Sequence, residues 1–320
     1  MSVITDIKKV LDSVSSPFFD KPKTIRQYNS QMMDETLFSS LPSKPTASFT
    51  AIDGGSSAIY LSTSLAVFFI RVVGVSLKEN QSYSFFATIH LHKDEYVISY
   101  SSLDSQKIPF LAELPDSVSV DDMLFSRTLD LPIKTLGHFI RRLSELLVGS
   151  QSESELVLLD GQLRTHHPFE KKYVEKLAHK TVGVVKTSRL VLESGKSVLY
   201  ALSQVEQSAP WVVSSLYEPK TSDVPLLCFV KLHPLAKHVF VCETYNTDIL
   251  SHLVSFSTDN SFLGYPYPLV KADELARISS QETSYIKTRV MQQFDSLSIK
   301  QLDQMKMNQD SHELLDSLKF

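Results

Sequence analysis

Two short segments carry residues that could do chemistry. Ile52-Asp53-Gly54-Gly55 and Leu159-Asp160-Gly161-Gln162 each set an aspartate and a glycine at the close of an apolar run. A single Asp-Gly is a turn signal, because Asp tolerates the turn and Gly supplies the freedom to reverse. Its repetition after two buried-strand segments adds a second reading. In open sheets with helical crossovers, ligands gather beyond the carboxyl ends of strands. Two carboxylates side by side there repel unless a divalent cation neutralises them. Magnesium or manganese on carboxylates, with glycines letting a substrate backbone approach, suits metal-assisted phosphodiester hydrolysis. The residues alone thus point to a metal-dependent phosphoryl-transfer site.

Other residues compete for attention. His90 and His92 fall on one face of a strand, which is ligand spacing, but no third ligand accompanies them. His166-His167 closely follows the second Asp-Gly and is a candidate substrate contact. Lys171, Lys172, Lys176 and Lys180 recur at helical spacing, either as a solvated face or as a track for DNA phosphates beside Asp160.

The elements that must position these groups follow from periodicity. Val3, Ile4, Ile7, Val10, Leu11 and Val14 mark an amphipathic helix, and 21–44 reads as a connecting loop with at most a short helix. Ala47–Ile52 alternates as a strand that stops at Asp53-Gly54-Gly55-Ser56. An apolar run from Ile59 to Val75 follows, then strands at Tyr83–His92 and Tyr96–Tyr100 around Lys93-Asp94-Glu95. Pro132 opens a helix with Leu136, Ile140, Leu143 and Leu147 on one face. Glu155–Asp160, an apolar run ending on an acid, reads as a strand buried on both faces. A helix at Phe169–Ala178 and a strand at Val182–Val185 come next, with further strands at Trp211–Leu216, Leu226–Leu232 and His238–Thr244. Tyr265-Pro-Tyr-Pro reads as a rigid extended loop, and Glu274–Phe294 and Ile299–Phe320 as helices. Strands joined by short turns are antiparallel and strands regained through a helix are parallel, so the expected core is a mixed sheet with helices on its faces.

Composition removes several classes. The chain has 320 residues, 42% hydrophobic and 21% charged, with a formal net charge of −4. That is a globular chain, and any nucleic-acid contact must come from a local patch. No run reaches the ~18 apolar residues of a membrane span, and Met1–Asp20 lacks the form of a signal peptide. Cys228 and Cys242 sit in apolar runs, which suits buried thiols and a reducing cytoplasm.

A succession of motifs resembles the NurA nuclease family of archaea and some bacteria. It comprises Ala51-Ile-Asp-Gly-Gly-Ser56, Leu158-Leu-Asp-Gly-Gln-Leu163, Val182-Gly-Val-Val-Lys-Thr-Ser188, Val230-Lys-Leu-His-Pro234, Gly264-Tyr-Pro-Tyr-Pro-Leu269 and Ala272-Asp273. The resemblance runs from about Phe49 to about Ile278. It implies an RNase H-like mixed sheet flanked by helices, with additional strands and terminal helices. It also implies a manganese-dependent nuclease that degrades DNA from 5′ ends and cuts single strands internally. Its expected partners are DNA, a second copy in a homodimer, and a HerA-type hexameric ATPase translocase, in end resection for recombinational repair.

Carried over residue by residue, the resemblance makes Asp53 and Asp160 metal ligands. Lys186 becomes a phosphate or transition-state contact, and Tyr265 a phosphate or base contact. Asp273 stands where the family commonly has histidine, as a ligand or an orienter of water. Mn2+ is the expected metal, and Mg2+ also suits an all-carboxylate site. The family's helix acid has no obvious equivalent. Glu145 falls near the wrong end of its helix if the site lies by the N-terminal half, where His138 and Asp130 are the alternatives. This gap motivates a second reading, a catalytically weakened DNA-binding partner of a HerA-type ring. The expected layout is 1–46 as N-terminal helix and connector, 47–295 as the nuclease domain, and 296–320 as a C-terminal helical segment.

Overall fold

Among the described residues, eleven strands join in one mixed sheet and two short strands form a separate ribbon. The structure is a computed structural model that describes residues 21–305, apart from 26, 34, 46–47, 103–106, 124–131 and 206–208. In chain order the strands are β1 (Tyr28–Ser30), β2 (Ser39–Ser40), β3 (Phe49–Leu61), β4 (Leu65–Ser76), β5 (Asn80–His92), β6 (Glu95–Ser102) and β7 (Ser117–Ser119). They continue with β8 (Leu156–Asp160), β9 (Thr181–Val185), β10 (Trp211–Val213), β11 (Tyr217–Pro219), β12 (Leu226–Lys231) and β13 (Phe240–Thr244). The helices are α1 (Val120–Met123), α2 (Pro132–Gln151), α3 (Lys171–Leu177), α4 (Val198–Ser203), α5 (Leu250–Phe256), α6 (Tyr267–Ala276) and α7 (Ser280–Met291). A further helical run covers 296–305. The amphipathic stretch expected at Val3–Val14, the chain beyond Met305, and Asp130 lie outside the described residues.

The sheet order is β2-β10-β12-β13-β9-β8-β3-β4-β5-β6-β7. Strand β8 is parallel to β3 and β9 is parallel to β8, each regained through a helix, α2 and α3. Strands β13, β12 and β10 continue antiparallel, as do β6 and β7 beyond β5. Three consecutive strands followed by helix-linked β8 and β9 make this the RNase H-like mixed sheet that the sequence led us to expect.

The chain divides into two compact units. One draws on the described residues of 1–52, 75–79 and 149–271. Its core gathers Trp211, Tyr217, Leu227, Phe229 and Val241, with Tyr28 and Met33 from the segment read as a loop. That segment orders because Tyr28 is fully buried and its hydroxyl donates to the Pro225 carbonyl at 2.7 Å. The other unit draws on 53–74, 80–148 and 272–320. There α2 buries Leu136, Ile140, Leu143 and Leu147, the stripe read from the sequence, and Ile59, Phe69 and Ile286 pack together.

Three local expectations need correction. Strand β3 does not stop at Asp53; it runs through the glycines to Leu61. Neither Gly54 nor Gly55 has a positive φ, so neither makes a turn. Second, Tyr267 and Pro268 open α6 rather than extend a loop, because proline fits a helix's first turn. Third, the helix expected over Glu274–Phe294 is broken at 277–279. The Ser279 side chain accepts from Glu282 N at 3.1 Å and caps α7, a Ser-x-x-Glu signal that helical periodicity had masked.

Candidate metal centre

The two Asp-Gly pairs differ in what their glycines do. At Asp53 the strand is extended, and Asp53 is 6% exposed, its Oδ1 accepting from Gly54 N at 2.7 Å. A Cβ on Gly54 would fall 2.6 Å from Glu145 Oε1, and one on Gly55 would fall 2.3 Å from the Ala276 carbonyl oxygen. These glycines therefore serve close approach. Gly161 is the one that turns: its φ of +125° takes the chain out of β8 directly after Asp160. The register sets Ile52 opposite Leu159, so Asp53 and Asp160 occupy matching next positions on neighbouring parallel strands.

Helix α2 faces Asp53 with Arg141 and Glu145. Arg141 Nη1 donates to the Gly54 carbonyl at 2.6 Å, and lies 2.9 Å from Glu145 Oε1 and 3.9 Å from Asp53 Oδ1. Glu145 is 2% exposed, and the Arg141 guanidinium beside it offsets the cost of burying a carboxylate. The helix residues against Asp53–Gly54 are thus Glu145 and Arg141, whereas His138 is exposed on the same helix. The expectation of a site beside the helix's N-terminal half rests on the helix leading into the strand that ends at Asp160. It is instead the later turn carrying Arg141 and Glu145 that meets Gly54. Arg141 was the residue the sequence reading missed; its i,i+4 spacing from Glu145 was the available signal.

Asp273 lies in the last turn of α6, not at a helix start. The macrodipole disfavours an acid there, and Arg277, four residues on, answers it with Nη2 2.8 Å from Asp273 Oδ2. Asp160 has its own cation: Lys186 Nζ, just past β9, lies 2.5 Å from Asp160 Oδ2. The Lys186 ammonium also stands 5.5 Å from the centroid of the Tyr265 ring, a cation–π contact. Tyr265 is 9% exposed and packs edge-on against Phe240 at 5.2 Å, so its ring works as a support and presents little open face.

One oxygen from each of Asp53, Asp160 and Asp273 lies within 4.8 Å of the other two, a group that could hold a metal ion. Three carboxylates are a hard, all-oxygen donor set, which fits magnesium or manganese and not a thiophilic metal. Each aspartate has a basic side chain within 4.0 Å: Arg141, Lys186 and Arg277 respectively.

The other candidates have separate occupations. His90 and His92 are exposed on β5. His167 is buried and stacked on Phe169, and its Nδ1 accepts from Phe169 N at 3.3 Å; His166 is exposed beside it. Of the lysines, Lys171 lies 4.0 Å from Glu175, Lys172 stands over Tyr173, and Lys180 donates to the Ser152 carbonyl. Among the described residues no helix is long and apolar enough to cross a membrane.

Comparison with known proteins follows this geometry. The NurA domain family model matches residues 47–278. A crystal structure of NurA bound to dAMP and manganese superposes with a TM-score of 0.51 at 9% identity, covering 82% of this chain and 91% of that one. A second, NurA with manganese, gives 0.51 at 10% identity, covering 88% and 96%. These likenesses show a shared fold. No curated protein matches the chain by sequence.

Proposed function

The chain belongs to the NurA domain family, and on that footing we propose that it is a metal-dependent deoxyribonuclease that hydrolyses phosphodiester bonds. The observation that carries this reading is the carboxylate group Asp53, Asp160 and Asp273, each beside a basic residue. NurA structures that hold manganese, one of them with dAMP, support the choice of metal and of a deoxynucleotide substrate.

In this reading the three aspartates hold the ion. A bound manganese supplies Lewis acidity to the phosphodiester and lowers the pKa of a water. Lys186 brings a positive charge to the phosphoryl oxygens, where charge builds in the transition state. Tyr265 steadies the lysine from below through its ring. Arg141 holds the Gly54 carbonyl and the Glu145 carboxylate together, which fixes the segment that carries Asp53. Manganese tolerates irregular coordination better than magnesium, so manganese gives the higher activity.

The finer parts rest on the family resemblance: 5′-to-3′ exonuclease and single-strand endonuclease activity, a homodimer, and work with a HerA-type hexameric translocase in DNA end resection. The nuclease domain is read as 47–295, flanked by 1–46 and 296–320. Reduced core thiols at Cys228 and Cys242 suit a cytoplasmic setting.

The test incubates purified protein with labelled single- and double-stranded DNA and RNA, in manganese, magnesium or chelator. Asp53→Asn and Asp160→Asn keep shape and remove charge. Each is expected to abolish cleavage while leaving the circular dichroism spectrum unchanged. Wild-type rates in either variant end the proposal, and a wild type that binds DNA without cutting it favours the ring-partner reading.

A further inference from the structure

Glu243 on β13 is fully buried, at 0% exposure. A carboxylate removed from water is costly unless hydrogen bonds and charge compensate it. Among the described residues, its hydrogen bonds and ion pair come from the chain that leaves Asp160. The backbone N–H of Leu163 donates to Glu243 Oε2 at 2.8 Å, and that of Arg164 donates to the same oxygen at 2.9 Å. Arg164 Nε lies 3.2 Å from Glu243 Oε1 and donates to Gln162 Oε1 at 3.3 Å. Leu163 and Arg164 are thus tied to one buried carboxylate two strands away from β8.

The path between them is shaped for the crossing. Leu159 is in register with Gly183 on β9, and Gly183 with Glu243 on β13. Residues opposite one another on neighbouring strands share a face, so the Glu243 side chain rises beside the bare Gly183. The chain pivots at Gly161 and passes over that glycine. A Cβ on Gly183 would meet the Gly161 carbonyl oxygen at 2.6 Å and Leu163 N at 2.9 Å. Leu163 is itself fully buried. Asp160 is therefore held from both sides, by its β8 pairing before and by a clamped loop after.

We propose that Glu243 is a positioning residue for the metal centre: it fixes the loop after Asp160 and thereby sets the Asp160 carboxylate for the ion. The proposal rests on the metal-centre reading for its binding arm, and on the fold alone for its exchange arm. Outer-shell partners of metal ligands are worth about 10–100-fold in metal affinity, and Glu243 acts in that range through backbone rather than through a ligand side chain.

The experiment compares wild type, Glu243→Ala, Glu243→Gln and Gly183→Ala by two measurements. One is amide hydrogen exchange at Leu163 and Arg164 in metal-free protein. The other is direct Mn2+ binding, followed by the electron paramagnetic resonance signal of free Mn2+. Glu243→Ala is expected to speed exchange at both amides and to weaken Mn2+ binding about 10-fold or more. Glu243→Gln keeps one oxygen for both amides, so it is expected to keep their protection and stay within about threefold of wild-type affinity. Gly183→Ala displaces the loop while leaving the Glu243 carboxylate in the chain and is expected to weaken Mn2+ binding, which decides the matter if Glu243→Ala does not fold. Tyr100→Phe, which loses its hydrogen bond to the Pro115 carbonyl away from this loop, is expected to move neither measurement. Unchanged Mn2+ affinity in folded Glu243→Ala or Gly183→Ala overturns the proposal. So does equal weakening in the Gln and Ala variants, since charge rather than loop position would then be at work. If wild type binds no Mn2+, the metal reading fails, and unaltered exchange in Glu243→Ala separately removes the clamp.

Discussion

Lys186 faces two ways, and a substitution separates its effects. Its ammonium lies 2.5 Å from Asp160 Oδ2, where it neutralises an oxygen that a metal needs. It is also the cation that the proposed chemistry aims at phosphate. Lys186→Met keeps the stem over Tyr265 and removes the charge. Half-saturation by Mn2+ is expected to fall severalfold, because a competitor is gone, while turnover at saturating metal drops about 100-fold, the scale of one lost transition-state contact. Titrating activity against Mn2+ reads both quantities, and unchanged turnover reduces Lys186 to a counter-ion. Cys228 and Cys242 show the opposite case, residues of reactive type without a reactive setting. They face each other across β12 and β13, fully buried. Burial pushes the Cys228 thiol up to about 12 and Cys242 well above its ordinary value.

Elements decide which of these residues meet, and here the sequence was readable only in part. Helix α2, strands β8 and β9 and their order followed from apolar spacing, because their buried faces are regular. The two Asp-Gly pairs were identical as text and opposite as structure, since a glycine's φ depends on what packs against it. Only the folded chain brings the Glu145 carboxylate to Gly54 and the Ala276 carbonyl to Gly55. That one ambiguity displaced the strand end. Asp273 was likewise set at a helix start, because Tyr267 and Pro268, which open α6, read as a loop. Its true place in the last turn of α6 yields a test with opposed signs. Asp273→Asn relieves the macrodipole by about 0.3–1 kcal/mol and gives up an exposed pair with Arg277 worth less than about 1 kcal/mol. The melting temperature is expected to hold or rise while the Mn2+ needed for half activity increases. A lower melting temperature with an unaltered metal requirement makes Asp273 a structural acid.

At the scale of the whole molecule, the segment after α7 deserves a deletion. Tyr60 donates its hydroxyl to the Leu302 carbonyl at 2.8 Å. Leu302 also helps line an apolar recess of about 500 Å³ with Ile59, Val67, Phe86 and Ile286. Removing Gln301–Phe320 strips that cover. If the segment serves assembly, sedimentation shows a smaller particle or a pull-down shows weaker capture by a HerA-type ring. Mass and capture both unchanged, with a lower melting temperature, make it a local brace. A last consequence follows from the basic side chain beside each aspartate. Lys186 and Arg277 pair with Asp160 and Asp273, while Arg141 is shared between Asp53 and Glu145. On the proposed reading the folded chain itself offsets much of the repulsion among the acids, so a metal would be a visitor rather than a rivet. Metal supply would then govern activity while the amount of folded protein stays constant.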